Sequence, residues 1–163
     1  MRMKKLLTLF ICSVLTACGG LSSEQKGGLS SEQKKEAKEA VEALQKIQAG
    51  VESEQVSQMS IAPMIIEAKT QINQAVAILP PGDLRNNLDT AVGAYIDGTY
   101  LWSKGVLKED GYQCDDDKVK EYRRKYPNNP DLANDSKCMS DKSLKYLFSL
   151  ASENVNKAAA TLR

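Results

Sequence analysis

With 163 residues and 22 lysines and arginines against 21 aspartates and glutamates, the chain is long enough for one domain with a single core. A formal charge of +1 gives it no general electrostatic reason to seek nucleic acid. It contains no histidine, which excludes serine–histidine triads, HExxH zinc sites, CxxCH haem attachment and ExxH di-iron bundles, and it carries no G-x-S-x-G, phosphate loop or dinucleotide fingerprint.

The amino terminus opens with Met1-Arg2-Met3-Lys4-Lys5, a basic start, followed by an apolar run from Leu6 to Val14 that is too short to span a bilayer. Leu15-Thr16-Ala17-Cys18 then places a cysteine behind small residues at the expected cleavage point. This stretch resembles the lipobox of bacterial lipoproteins, a resemblance confined to about the first twenty residues. It implies residues 1–17 as a signal peptide, cleavage before Cys18, a diacylglycerol thioether on its sulfur and an acyl chain on the freed amine. Two or three chains, at about 0.8 kcal/mol per buried methylene, make such an anchor effectively permanent. The membrane is therefore one expected partner. Gly19 after the cysteine, in place of aspartate, favours an outer-membrane address in enteric-type bacteria, facing periplasm or surface. Loss of Arg2, Lys4 and Lys5 with the signal leaves 19 basic residues against 21 acidic ones, a mature charge of −2.

Of the four cysteines, Cys12 leaves with the signal and Cys18 is taken by lipid. The remaining pair, Cys114 and Cys138, is expected to form a disulfide in an oxidising envelope compartment. Closing a loop of about 25 residues stabilises a fold by roughly 3 kcal/mol in the chain-entropy view.

Residues 18–30 read as a lipidated flexible spacer. Gly19-Gly20-Leu21-Ser22-Ser23-Glu24-Gln25-Lys26 recurs without change as Gly27 to Lys34, too few and too short copies for a solenoid. A dozen such residues span about 20 Å on average. In the second copy Ser30-Ser31-Glu32-Gln33 has the capping-box form and starts the helical domain, residues 31–163. The first helix buries Ala37, Ala40, Val41, Leu44, Ile47 and Val51 along one stripe, with Gly50 weakening its end. Glu52 to Ser60 reads equally as continuing helix or connector.

Ser60 is expected to cap the second helix, placing Pro63 in its first turn. Its stripe is Ile61, Met64, Ile65, Ala68, Ile72, Ala75, Val76 and Leu79. Pro80-Pro81-Gly82 stops it, and a third helix capped by Asp83 returns antiparallel from Leu84 to Leu107. That helix presents Leu84, Leu88, Val92, Tyr95, Ile96, Thr99, Trp102 and Val106, flanked by the small residues Ala91, Ala94, Gly98 and Gly105. Two glycines at about 1 kcal/mol each relative to alanine suggest close approach by a neighbour, so this helix is expected to be central.

Gly111 to Lys137 is irregular apart from a short helix over Lys118 to Lys125, preceded by Asp115-Asp116-Asp117 so that acids precede bases along the dipole. The last helix starts near Ser140 or Asp141 and repeats Leu144, Leu147, Phe148, Ala151, Val155, Ala158 and Leu162 at threes and fours. The predicted fold is all-α, an up-and-down bundle of four longer helices and one short helix with one disulfide-bounded loop.

No catalytic constellation, metal site or cofactor is implied. Glu36, Glu39 and Glu42 sit among lysines on a polar face. The triple aspartate, with Asp131, Asn134 and Asp135, offers oxygen ligands for calcium, but capping explains the same residues without the spacing that calcium loops need. Lys118, Lys120, Tyr122, Arg123, Arg124, Lys125 and Tyr126 form the most basic local patch. They read either as a contact for an acidic protein or envelope glycan, or as a short helix with its tyrosines inward. Tyr100 and Tyr146, off their helices' apolar stripes, are candidate contact aromatics. Three functions follow in order: a non-catalytic, lipid-anchored binding or adaptor module; a small hydrophobic ligand or lipid binder with a cavity lined by Tyr95, Trp102 and Phe148; and a carboxylate-based cell-wall hydrolase, which needs two acids facing one cleft about 5 to 9 Å apart.

Overall fold

A computed structural model describes residues 28–53, 57–103, 117–131 and 139–163. They form α1 (Ser31–Glu52), α2 (Gln58–Ile78), α3 (Asp83–Ser103), α4 (Asp117–Lys125) and α5 (Asp141–Thr161), with no strand among the described residues. The four long helices pack antiparallel as a ring in which α1 and α3 each border both α2 and α5, and the α3–α5 seam is the most extensive.

Local chemistry sets the helix starts. Ser30 Oγ accepts from the Gln33 amide at 3.1 Å while the Ser30 amide donates to Gln33 Oε1 at 2.9 Å, a complete capping box. Gln33 Nε2 also donates to the Ile78 carbonyl at 2.7 Å, so one side chain fastens the entry of α1 to the exit of α2. Gly50 does not shorten α1; it is buried, and the helix runs on to Glu52.

The start of α2 differs from expectation. Ser57 caps it by accepting from the Ser60 amide at 3.3 Å, so Ser60 is the third helical residue and Pro63 the sixth. The bond Pro63 cannot donate concerns the carbonyl of residue 59, in the first turn, and Pro63 itself is exposed. At the next turn Asp83 is the first helical residue and Gly82 holds the cap position, accepting from the Asn86 amide at 3.0 Å. Its φ of +155° suits glycine. The continuation of α3 toward Leu107, including Gly105 and Val106, lies outside the described residues. Ser140 caps α5 as expected.

The main core takes the stripes of α1, α2, α3 and α5. Leu44, Ile47, Ile61, Ile72, Leu88 and Val155 have no exposed surface, at 0% each, and burying side chains of this kind contributes about 1.5–3 kcal/mol apiece. Alanines at 37, 40, 68, 75, 91, 94, 151 and 158 are likewise buried and let the helices approach closely. On α3 a Cβ at Gly98 would lie 2.7 Å from Phe148 Cε1, the close approach that the small-residue strip suggests. The expected central position of α3 becomes a corner shared with three equals, but α3 is covered twice. Its buried set includes Asp97 and Leu101, which face a second cluster of Leu101, Tyr122, Tyr126, Met139, Leu144 and Leu147.

Candidate partner-contact site

The basic segment folds as α4, with Asp117 in its first turn and Arg123, Arg124 and Lys125 in its last. Tyr122 and Tyr126, one turn apart, share a face and are buried at 3% and 5% exposure. Their rings therefore belong to the second cluster and are not offered to a partner. Tyr122 meets Tyr100 edge-on at 6.1 Å, and Tyr146 packs against the same cluster, so the off-stripe tyrosines flank the α4 layer.

The residue that organises this layer is Asp97. Its Oδ2 accepts from Lys125 Nζ at 2.6 Å and from the Tyr126 hydroxyl at 2.7 Å. Lys125 lies over Gly93, where a Cβ would stand 3.5 Å from Nζ, and 5.3 Å from the Tyr126 ring centroid. Burial first, and Asp97 second, push the Tyr122 and Tyr126 hydroxyls well above the usual tyrosine range. The sequence does carry a signal for Asp97: it is the only charge between Val92 and Trp102. An acid on an otherwise apolar helix asks for a partner.

A second polar knot fixes the segment after α4. Asp131 Oδ1 accepts from Ser140 Oγ at 2.7 Å, and Oδ2 accepts from the Ser140 amide at 2.6 Å, the Ser143 amide at 3.2 Å and the Ser143 hydroxyl. Asn129 Oδ1 accepts from the Asp131 amide at 3.1 Å and lies 2.9 Å from Ser143 Oγ, whose single proton serves Asn129 or Asp131. Burial raises the Asp131 carboxyl, but the hydroxyl and amide bonds of Ser140 and Ser143 together hold it below the ordinary carboxylate value. A carboxylate at the start of α5 also complements the helix dipole. Asp131 is thus committed to serines. Asp115, Asp116, Asn134 and Asp135 lie outside the described residues, and no three acids or cysteines among the described residues gather into a metal site.

What α4 leaves facing outward is small. Lys120 is exposed and reaches Asp117 at 3.3 Å; Arg124 is exposed, its Nε donating to the Lys120 carbonyl at 3.4 Å. Arg123 is half-buried, with Nε and Nη2 lacking a hydrogen-bond partner among the described residues. Lys118 belongs to α4, but its side chain lies outside the described part, as do Cys18, Cys114 and Cys138 entirely. Beside α4 a groove of about 290 Å³ is lined by Asp89, Thr90, Gly93, Lys125 and Tyr126.

The proposed cavity aromatics pack on one another. Phe148 stands 6.2 Å from both the Tyr95 and Trp102 centroids and closes against Gly98. The two buried carboxylates, Asp97 and Asp131, share no hydrogen-bond partner among the described residues. No helix of the described residues is long and apolar enough to cross a membrane. Compared with known proteins, the chain matches no family model, no curated protein and no solved structure at a significant level.

Proposed function

We propose that this chain is a cell-envelope lipoprotein, anchored through acylated Cys18 and serving as a non-catalytic binding or adaptor module at the bacterial outer membrane. The lipobox supports the anchor. The bundle supports the module through one observation in particular: its two ends differ. Leu29 enters at the end formed by the start of α1, the exit of α2 and the start of α3, whereas the α4 layer is fixed around Asp97 and the Asp131 knot, toward the start of α5. A bundle of about twenty residues per helix is about 30 Å long. The end of the bundle that carries the start of α5 is therefore held away from the tether and is the part available to an acidic protein or glycan. Lys120 and Arg124 are its exposed bases, and the Cys114–Cys138 disulfide is expected to restrain the flanking segments.

The test combines two measurements on envelope fractions. Mass spectrometry of the amino-terminal peptide should show cleavage before Cys18 and acyl chains on it. Cross-linking of the native protein in membranes should then give a defined adduct that the double variant Lys120→Glu/Arg124→Glu loses while the fold persists. An unprocessed amino terminus overturns the anchor, and an adduct indifferent to the double variant overturns the assignment of α4.

A further inference from the structure

We infer that the tether-proximal end of the bundle is itself a membrane-contact surface, seating its apolar tip in the bilayer interface when the protein is anchored; this rests on the lipoprotein reading above. Leu29, Leu79, Pro80, Pro81 and Leu84, with Gly82 and Asp83 at the turn and Thr161 from the end of α5, line an open groove of about 190 Å³. Ile78, next to it, is 37% exposed, and Pro80 and Pro81 are exposed as well. Leu79 and Leu84 are buried, so Ile78, Pro80 and Pro81 with half-buried Leu29 form the apolar tip, a feature that marks interaction surfaces when it is contiguous.

The chain outside the described residues names the occupant. Only nine residues separate Cys18 from Gly28, and a glycine- and serine-rich segment of that length has an average span of about 18 Å. That is shorter than the roughly 30 Å length of the bundle. The exit point is also fixed in direction. Gln33 closes the capping box and donates to the Ile78 carbonyl at 2.7 Å, so Leu29 is held against the end of α2, where Ile78 is exposed. An acylated Cys18 therefore brings this end, and not the one bearing the start of α5, to the lipid surface. The charges in the helix turns that end there are Glu32 and Lys34 on α1, Asp83 and Arg85 on α3 and Arg163 after α5, of which Asp83 lines the groove. A balance of one charge makes insertion of apolar groups, not attraction to anionic headgroups, the source of the contact.

The experiment places the acylated full-length mature protein in phospholipid vesicles containing brominated acyl chains, which quench indole at the membrane. Two single-tryptophan proteins are compared: the wild type, reporting from Trp102 near the far end of α3, and Ile78→Trp in a Trp102→Phe background. Ala77→Trp, at the neighbouring exposed position, repeats the measurement if the first variant misfolds. The expected result is at least twofold quenching at 78 and little at 102, changing less than twofold between zwitterionic and anionic vesicles. In the same vesicles Ile78→Asp should expose the tether to trypsin several-fold faster than in wild type. Acylated Cys18 with no quenching at 78, or with equal quenching at both positions, refutes the contact while leaving the anchor standing. Absence of acyl chains on Cys18 removes both. Self-association of the Cys18→Ser chain in solution, abolished by Ile78→Asp, also overturns the inference by showing that the tip is filled by a second copy.

Discussion

Replacing Gly98 by alanine sets two opposing effects against each other at the α3–α5 seam. Alanine in a helix interior is favoured over glycine by about 1 kcal/mol. Its methyl group, however, would lie 2.7 Å from Phe148 Cε1 and 3.0 Å from Cδ1, where carbon atoms in contact prefer about 3.5–4.0 Å. The ring must withdraw by about 1 Å, against neighbours at 6.2 Å on two sides, Tyr95 and Trp102. Overpacking of this kind costs about 1–3 kcal/mol. The clash therefore wins, and Gly98→Ala should lower stability by about 1 kcal/mol, or a melting temperature by roughly 3 °C for a domain of this size. In a Phe148→Ala background the clash is gone and the same substitution should stabilise by about 1 kcal/mol. The double-mutant cycle thus carries a coupling of about 2 kcal/mol with a change of sign. Urea unfolding followed by circular dichroism measures all four proteins. A stabilising Gly98→Ala in the wild type, or an equal loss in both backgrounds, would refute the packing argument.

Asp97→Ala leaves the buried Tyr126 hydroxyl without its acceptor while Lys125, about half exposed, turns to water; a loss of about 2 kcal/mol is expected, with hydrogen exchange rising in α4 before the rest of the bundle. For Asp131 the folded pKa lies below the unfolded value, so the unfolded chain binds the extra proton in acid. Its contribution is present above about pH 4 and lost as pH falls through the folded pKa; Asp131→Asn should flatten the acid limb of stability against pH, and an unchanged limb would dismiss the role given to Ser140 and Ser143. Tyr95 is pushed up to about 12 by burial, partly offset by Ser152, and Tyr122 and Tyr126 are raised as well. Their stabilisation is full below about pH 10 and lost above it, so tyrosinate absorbance should show at least these three of the six tyrosines ionising only with unfolding. Deleting residues 27–34 gives the same chain as deleting 19–26, which restores Leu29, Ser30 and Gln33 in kind; stability should stay within about 0.5 kcal/mol of wild type, whereas Gln33→Ala should cost about 1 kcal/mol.

Legibility in the sequence followed the range of the interactions involved. The stripes of α2 and α5 and the Ser30–Gln33 box could be read directly because their partners lie within a turn or two. The start of α2 could not, since Ser57 and Ser60 offer the same capping chemistry one turn apart. On α3 the apolar pattern picks out Leu84, Leu88, Val92 and Tyr95, and Ile96 and Trp102 pack half-buried against the main core, but the pattern misses the second buried face of the far half. Thr99, expected on the core stripe, is half-buried, whereas Asp97 and Leu101, which that stripe leaves out, are buried. The cause is the α4 layer, which reaches Asp97 from 28 and 29 residues away, beyond anything periodicity reports. Tyr122 and Tyr126 were readable as either inward or outward, because a helix of nine residues gives too few repeats to fix its buried face.

The chemistry of the second cluster limits what α4 can offer a partner. Apolar stripes alone would let a short helix slide or rotate, as a nine-residue helix has little intrinsic stability. Asp97 on one side and the Asn129–Asp131–Ser143 knot on the other fix its rotation through directional bonds, which fasten half-exposed Lys125 to Asp97 and keep Tyr122 and Tyr126 in the interior. The basic residues close together in sequence are thus split by the fold into fasteners and exposed charges. Lys120, which reaches Asp117, and Arg124, four apart and therefore on one face, are the exposed pair. On the proposed reading, a partner bound through α4 would meet these two bases at a fixed spacing on one face, and so should present a compact pair of anionic groups. A diffuse acidic surface would instead respond to salt alone and tolerate loss of either base. Comparing Lys120→Ala and Arg124→Ala across ionic strength in the cross-linking assay separates the two, and equal tolerance of both single variants at low salt would show that fixed register plays no part.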